Sequence, residues 1–335
     1  RRAFLKGSAV VGVGVCIVSG KAHGAETGKL TEPERQIPIA EEFDVLVCGG
    51  GPAGVCAALA AARSGAKTRL IDANGCLGGI WTAGLLSWIL DTSGKGGLLA
   101  EINGTLKERG VAYVPHGSTV CADSEQLKRL LEELCTAAGV KLLYHSRVVR
   151  AHVDEGKRVR YAIVENKSGR QAFGAKVFVD ATGDGDLAAY AGCGFDFGYG
   201  KYHITQPMSL IAIAGGPKSE EISRFVRGLA EPKGEGDPKS NLLADMKRAG
   251  ITPSYLRPFM CRFREGLYGL MINHEYGVSA LDAQATTDAT VRARAEIHAL
   301  VDALRSLGGC WKELRLIATA EHIGMREGRR VHGLY

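Results

Sequence analysis

The chain has 335 residues, 45% of them hydrophobic, 23% charged and 7% aromatic. That is globular material long enough for about two domains, and its 45 glycines fall in turns without a repeat, which excludes fibrous and low-complexity classes. The formal charge of +6 falls to +2 without the first 24 residues, which hold Arg1, Arg2, Lys6, Lys21 and no acid, so the charge gives no case for a nucleic-acid partner.

The chain opens Arg1-Arg2-Ala3-Phe4-Leu5-Lys6 and continues with an apolar stretch of about fourteen residues, GSAVVGVGVCIVSG. Small residues then lead to a cleavage point after Gly24, so residues 1–24 read as a signal peptide. The paired arginines before Phe-Leu-Lys resemble a twin-arginine export signal. The apolar stretch is too short and too rich in glycine for a stable membrane span, so none is expected after cleavage. The expected destination is the bacterial periplasm, reached by the twin-arginine route. Residues 25–41 are polar, contain Pro33 and Pro38, and read as a linker.

Phe43–Cys48 is an apolar, β-branched run and reads as a buried strand. It ends in Gly49-Gly50-Gly51-Pro52-Ala53-Gly54, followed by an Ala-rich helix to about Ser64 and a second strand, Thr68–Ile71, ending on Asp72. Strand, Gly-rich turn, helix, strand and acid make a dinucleotide-binding βαβ unit. In that unit Gly49 makes the tight turn, Gly51 lets the backbone approach a pyrophosphate, and Gly54 lets the helix lie close on the strand. The helix N-terminus offers N–H groups to the phosphates. Asp72, eighteen residues after Gly54, can accept hydrogen bonds from a ribose diol. The unit alone does not separate FAD from NAD.

A loop with Gly78-Gly79 follows, then a helix at Gly97–Arg109 and a helix at Ser124–Ala137 capped by Asp123, with Leu127, Leu130, Leu131 and Leu134 on one face. Val140–Tyr144 reads as a buried strand. The segments RVVRAHV, RVRYAIVEN and RQAFGA read as a three-stranded antiparallel meander between Ser146 and Phe173. A separate strand, Lys176–Asp180, runs into Ala181-Thr182-Gly183-Asp184-Gly185-Asp186, where Asp184 can meet a ribitol or ribose hydroxyl. An NAD-only Rossmann domain has no need of a meander followed by such a strand end.

After Gly200 the pattern changes: HITQPMSLIAIAGG reads as a strand, Lys218–Leu229 and Leu242–Arg248 as helices, and Leu267–Asn273 as a strand. A long helix follows at Asp282–Leu307, with Val291, Ile297, Leu300, Val301 and Leu304 at helical spacing, then a strand at Leu314–Ala320. The nine cysteines, at 16, 48, 56, 76, 121, 135, 193, 261 and 310, include no C-x-x-C and no tight run suited to zinc or an iron–sulfur cluster.

With the βαβ unit, Gly78-Gly79, DATGDGD and the closing IGMREGRRVHGLY read together, the chain resembles the FAD-dependent oxidoreductases of the glutathione-reductase-like two-dinucleotide-fold class. It is similar in particular to the bacterial family related to the flavin part of heterodisulfide reductase A subunits, over about residues 43–335. The resemblance implies an α/β fold: a Rossmann-like FAD-binding domain with a parallel sheet and an antiparallel meander (42–199), an α+β substrate or cap region (200–315), and a return to the FAD-binding domain (316–335). It implies that Gly49, Gly51, Pro52, Ala53 and Gly54 hold the FAD pyrophosphate and Asp72 the adenosine ribose. Gly78 and Gly79 would pass the flavin, Val148 would touch adenine through its backbone, and Asp184 would face the ribitol. Arg326 and Arg329 would lie near the flavin or an anionic substrate. Some relatives carry iron–sulfur clusters, which the cysteine spacing here does not support. Flavoproteins of this class usually continue beyond the Arg motif with a segment that closes over the isoalloxazine, so a chain stopping at Tyr335 is expected to be truncated.

FAD carries hydride and electron chemistry itself, and no G-x-S-x-G or H-E-x-x-H adds another. His203, His274 and His322 are candidate bases by region, and Trp81 and Trp88 candidate borders of the flavin loop. The leading expectation is an exported FAD-dependent oxidoreductase exchanging a hydride or electrons with a small organic substrate and an unidentified acceptor. A non-catalytic nucleotide- or partner-binding fragment and an NAD-linked dehydrogenase without flavin stand beside it.

Overall fold

The first strand, β1 (Ile39–Cys48), begins inside the stretch expected as linker. Its early residues are exposed and acidic, so they read as linker, yet Ile39 already pairs with Ala172. The computed structural model describes residues 30–114, 119–229 and 236–333, and from Ile37 on these form one compact unit. The signal peptide expected at 1–24 lies outside the described residues.

Helix α1 (Pro52–Arg63) starts on a proline, whose missing N–H is no loss in a first turn, and buries Val55, Ala58 and Leu59. β2 (Thr68–Ile71) runs parallel to β1, from Val45↔Thr68 to Cys48↔Ile71. β3 (Trp88–Ile89), α2 (Gly97–Glu108), β4 (Ala112–Tyr113) and β5 (Val120–Ala122) follow, the strands forming a small antiparallel sheet in the order β3-β5-β4. α3 (Ser124–Ala137) is capped as its sequence predicts: Asp123 Oδ1 accepts the N–H of Glu125 (3.0 Å) and Gln126 (3.3 Å), a contribution of about 1 kcal/mol. β6 (Lys141–Leu143) then joins β2 in parallel.

β7 (Arg147–Val153) and β8 (Val159–Asn166) make the expected antiparallel pair, but the third meander strand and the strand before Asp184 are a single element, β9 (Gly169–Asp180). Its first half pairs antiparallel with β8, and most of its length runs parallel to β1. Within it Gly174 is a packing glycine: a Cβ there would meet the Tyr161 ring at 3.0 Å and Glu42 Cγ at 3.1 Å. The sheet order is β6-β2-β1-β9-β8-β7.

α4 (Asp186–Tyr190) and β10 (Phe195–Phe197) lead into the second region. There the long strand expected from His203 shrinks to β11 (Ala212–Gly215), preceded by single bridges. The helix expected over 218–229 shrinks to α5 (Ser219–Ile222) and one 3₁₀ turn. After α6 (Pro238–Arg248), an unanticipated strand β12 (Phe259–Arg264) forms a hairpin with β13 (Leu267–Met271). α7 (Ala283–Ser306) packs through Ala289, Ala293, Ile297, Leu300, Val301 and Leu304, while Val291, two residues from either alanine and so on the far side, is 59% exposed. β14 (Arg315–Thr319) completes a four-stranded sheet in the order β12-β13-β11-β14, and β15 (Arg329–Val331) returns to pair with β10. Trp311, buried in this second core, donates from its indole to Asp245 Oδ2 at 2.7 Å.

Candidate functional site

The parallel sheet brings three distant turns together at the ends of β1, β2 and β9. Gly49, at φ +105°, has no room for a side chain, since a Cβ would overlap the Ala181 carbonyl of the DATGDGD turn. A Cβ on Gly54 would overlap the Gly49 carbonyl, so this glycine sets how closely α1 lies on the turn. Gly51 differs: a Cβ there would meet nothing within 4 Å. Gly51 therefore borders open space at the start of α1, where no side chain caps the helix and Pro52 occupies the first turn. The Ala53 and Gly54 N–H groups of that turn face the same end of the helix dipole, an arrangement suited to a phosphate.

The Gly78-Gly79 loop lies on this turn. The Gly78 N–H donates to the Gly50 carbonyl at 2.8 Å, and a Cβ on Gly79 would come to 3.0 Å from Gly51 Cα. Trp81 follows in the 3₁₀ turn Gly79–Trp81, half-buried, whereas Trp88 is a core residue set edge-on to Phe259.

Asp72 is nearly buried, and both of its oxygens are engaged: Oδ2 by the Gly50 N–H and Oδ1 by the Asn74 N–H at 2.6 Å. It thus ties the Gly-rich turn to the end of β2 and keeps a spare lone pair on each oxygen for a diol. Burial pushes its carboxyl above the usual range, opposed by those N–H groups and by His322. The imidazole of His322 is pushed down by burial, opposed by Glu321 and Asp72. Ser146 donates its N–H to the Asp72 carbonyl at 2.9 Å, so Val148, two residues on, starts from the same end of the sheet. Its side chain is buried and its backbone is paired with Val164. A cavity of about 460 Å³ flanks this turn, lined by Gly75, Cys76, Lys128, His145 and Glu321 among others.

At the end of β9, Asp180 organises the turn, a role the sequence reading missed although a carboxylate closing a strand was its signal. Asp180 Oδ1 accepts from the Thr182 hydroxyl (2.7 Å) and N–H (3.1 Å), and Oδ2 accepts the Ala188 N–H at 2.8 Å. Asp184 packs against Gly328, where a Cβ would overlap its Oδ1. Burial and the neighbouring Asp186 raise the Asp184 carboxyl, and Arg329 lowers it.

The two arginines expected near a flavin or an anion part company. Arg329 donates to Asp186 Oδ1 (2.7 Å) and the Asp184 carbonyl (3.2 Å) and lies over Phe195, so its charge is committed to the DATGDGD turn. Arg326 is exposed, and its hydrogen bond goes to the neutral Gln206 Oε1 at 3.0 Å. His203 is exposed, its Nδ1 2.8 Å from the Phe197 carbonyl. His274 stacks on Tyr255 with centroids 3.9 Å apart. Among the described residues no group of three or more His, Cys, Asp or Glu could hold a metal ion.

A family model described as "FAD dependent oxidoreductase" matches residues 44–335. Digeranylgeranylglycerophospholipid reductase 1 of Methanopyrus kandleri is 33% identical over 158 residues, 42% of this chain and 40% of that protein. Glutathione reductase of Schizosaccharomyces pombe is 55% identical over 42 residues, 12% of this chain and 9% of that protein. The alignments thus span two fifths or less of either relative's length. The structure of BexE, described through oxidation in BE-7585A biosynthesis, aligns over 86% of this chain and 53% of its own at 13% identity and a TM-score of 0.50, a likeness of fold. The open space at Gly51, the uncapped start of α1 and the lone pairs left on Asp72 fit the diphosphate and ribose of FAD, and with the match across 44–335 the chain belongs to the FAD-dependent oxidoreductase family.

Proposed function

We propose that the protein oxidises or reduces a small organic substrate with FAD as its redox partner, and that it does so after export. The observation that carries the first part is the contrast among the turn glycines: Gly49 and Gly54 are packed shut, while Gly51 faces open space beside Gly79.

FAD, when bound, supplies hydride and electron transfer; the chain's residues position it. The N-terminus of α1 directs its N–H groups at the diphosphate, Asp72 accepts from the adenosine ribose, and Gly51 and Gly79 leave the approach free of side chains. Asp180 and Arg329 keep the 181–186 turn in one conformation, which fixes Asp184 toward the ribitol.

Reconstitution tests this reading. Purified protein mixed with FAD and then desalted should retain flavin absorbance, and some organic donor should bleach it anaerobically. Loss of all flavin on desalting would reject the FAD assignment, and a retained flavin that no donor or acceptor affects would reject the enzyme. Export rests on residues 1–24. Fusion of that segment to a reporter should give periplasmic signal that disappears when Arg1 and Arg2 are both changed to Lys; unchanged signal would exclude the twin-arginine route.

A further inference from the structure

Three short segments of the second region lie side by side next to the cofactor turn. Met208 bridges Glu275, exchanging hydrogen bonds of 2.9 and 2.8 Å, and Ser209 bridges Gly324 through a 2.8 Å bond, both antiparallel. That register sets His274, Ser209 and Gly324 in one row and, two residues along each segment, Tyr276, Pro207 and Arg326 in another. His274 and Tyr276 share a side of their segment, as the 3.2 Å contact between them shows, and the Arg326 charge reaches His274, so the three form one face, while Met208 and Glu275 are buried. The shared face looks toward the cofactor loop, because a Cβ on Gly324 would lie 3.4 Å from Ile80 Cδ1, one residue after Gly79.

The chemistry of the face is that of an anion site with an aromatic wall. No ion pair involves Arg326 among the described residues, and Gln206 Oε1 uses one of its five N–H donors. The Gln206 amide is held from behind by Glu327, whose carboxylate accepts the Gln206 N–H (3.0 Å) and Nε2–H (3.3 Å). Glu327 is thereby turned to Gln206, and the remaining edge of the guanidinium is left for a second acceptor. His274 lies flat on Tyr255, its Nδ1 is 3.2 Å from the Tyr276 hydroxyl, and its N–H is held by Ser254 Oγ at 2.8 Å. Its Nε2 has no protein partner among the described residues. Tyr276 is 64% exposed and set edge-on to His274, with centroids 5.6 Å apart.

We propose that this face is the substrate site of the oxidoreductase and that it takes small monocarboxylates, with the carboxylate paired to Arg326 and the organic body against His274, Tyr255 and Tyr276. The proposal rests on the FAD reading above. Burial and the Arg326 charge push the His274 imidazole down, which disfavours its protonated form beside the guanidinium. The bidentate geometry of a guanidinium with a carboxylate supplies the selectivity for an anion over its amide.

The test uses benzoate with benzamide as its uncharged twin, read by isothermal calorimetry and, on FAD-loaded protein, by shifts in the flavin spectrum. Benzoate should bind saturably at least tenfold more tightly than benzamide. Arg326→Gln should weaken benzoate at least tenfold while retaining FAD, and Tyr276→Ala should weaken it several-fold. Equal binding of the two probes, no binding of either, or unchanged benzoate affinity in Arg326→Gln would overturn the proposal. Calorimetry needs no flavin, so a colourless protein that still binds benzoate through Arg326 would sink the FAD reading and leave the anion site standing. A yellow protein indifferent to benzoate would do the reverse.

Discussion

The two faces that meet near Ile80 are built from different materials. On the side of the parallel sheet, the site is backbone: glycines, a helix start, and carboxylates such as Asp72 and Asp180 whose hydrogen bonds go mostly to main-chain N–H groups. On the side of the antiparallel sheet it is side chain: an arginine, a histidine and two tyrosines carried on segments joined by single bridges. A backbone site tolerates almost no substitution at its close contacts, whereas a side-chain site can be altered without disturbing the fold. Arg329 and Arg326, three residues apart, fall on opposite sides of that divide.

The largest effect is expected at Gly54. A methyl there overlaps the Gly49 carbonyl, which is main chain and cannot rotate away, so Gly54→Ala should cost on the order of 4 kcal/mol or leave the protein insoluble. Urea denaturation measures it, and a loss below 1 kcal/mol would mean that α1 does not rest on the turn. Arg329→Ala should cost about 1–2 kcal/mol and weaken FAD together, because Asp186 and the Asp184 carbonyl lose their shared donor. Arg326→Gln should leave the urea midpoint close to wild type. If the two arginine variants melt alike, the division between the faces is wrong.

Asp184 sharpens the comparison through pH. Its carboxyl is raised in the folded protein by burial and Asp186, so the native state binds the proton more tightly than the unfolded chain does. The ionised form therefore carries a penalty at neutral pH that is relieved as pH falls toward the ordinary aspartate value of about 3.9. Asp184→Asn should flatten that part of the stability profile and weaken FAD while preserving the fold. A stability profile identical to wild type would remove the burial effect from the account. The smallest effect belongs to the bidentate pair of Arg63 on α1 and Glu101 on α2, at 2.6 and 2.7 Å. Arg63 holds the Glu101 carboxyl below its usual range, so the pair stabilises above about pH 4.3 and is lost as pH falls through the lowered value. The pair is solvent-exposed, so Glu101→Gln should cost only about 0.5 kcal/mol at pH 7, less in high salt. A cost above 2 kcal/mol would show that this contact is not screened.

The backbone half of the molecule was legible because its requirements are local. Gly49, Gly51 and Gly54 follow one another in the chain, the strand patterns around them are strong, and Asp123 announces the start of α3. An error there came from a residue whose role depends on a distant neighbour: Ile39 read as linker because its partner Ala172 is far along the chain. In the second region the signal is non-local almost throughout. The HITQPMSLIAIAGG stretch read as one strand, yet its first half is held by isolated bridges to Tyr199, Glu275 and Gly324. Nothing in the order of residues links His274 to Arg326, or distinguishes Arg326 from Arg329. Gln206, Tyr255 and Tyr276 were invisible as site residues, since polar and aromatic side chains in loops carry no periodicity.

The most direct test of the central claim is FAD titration of Gly51→Val beside wild type, followed by flavin fluorescence, with a thermal melt of each apoprotein. The open space at Gly51 predicts equal melting of the two apoproteins and at least a hundredfold loss of FAD affinity in the variant. A variant that melts like wild type and binds FAD equally well would contradict the placement of the cofactor.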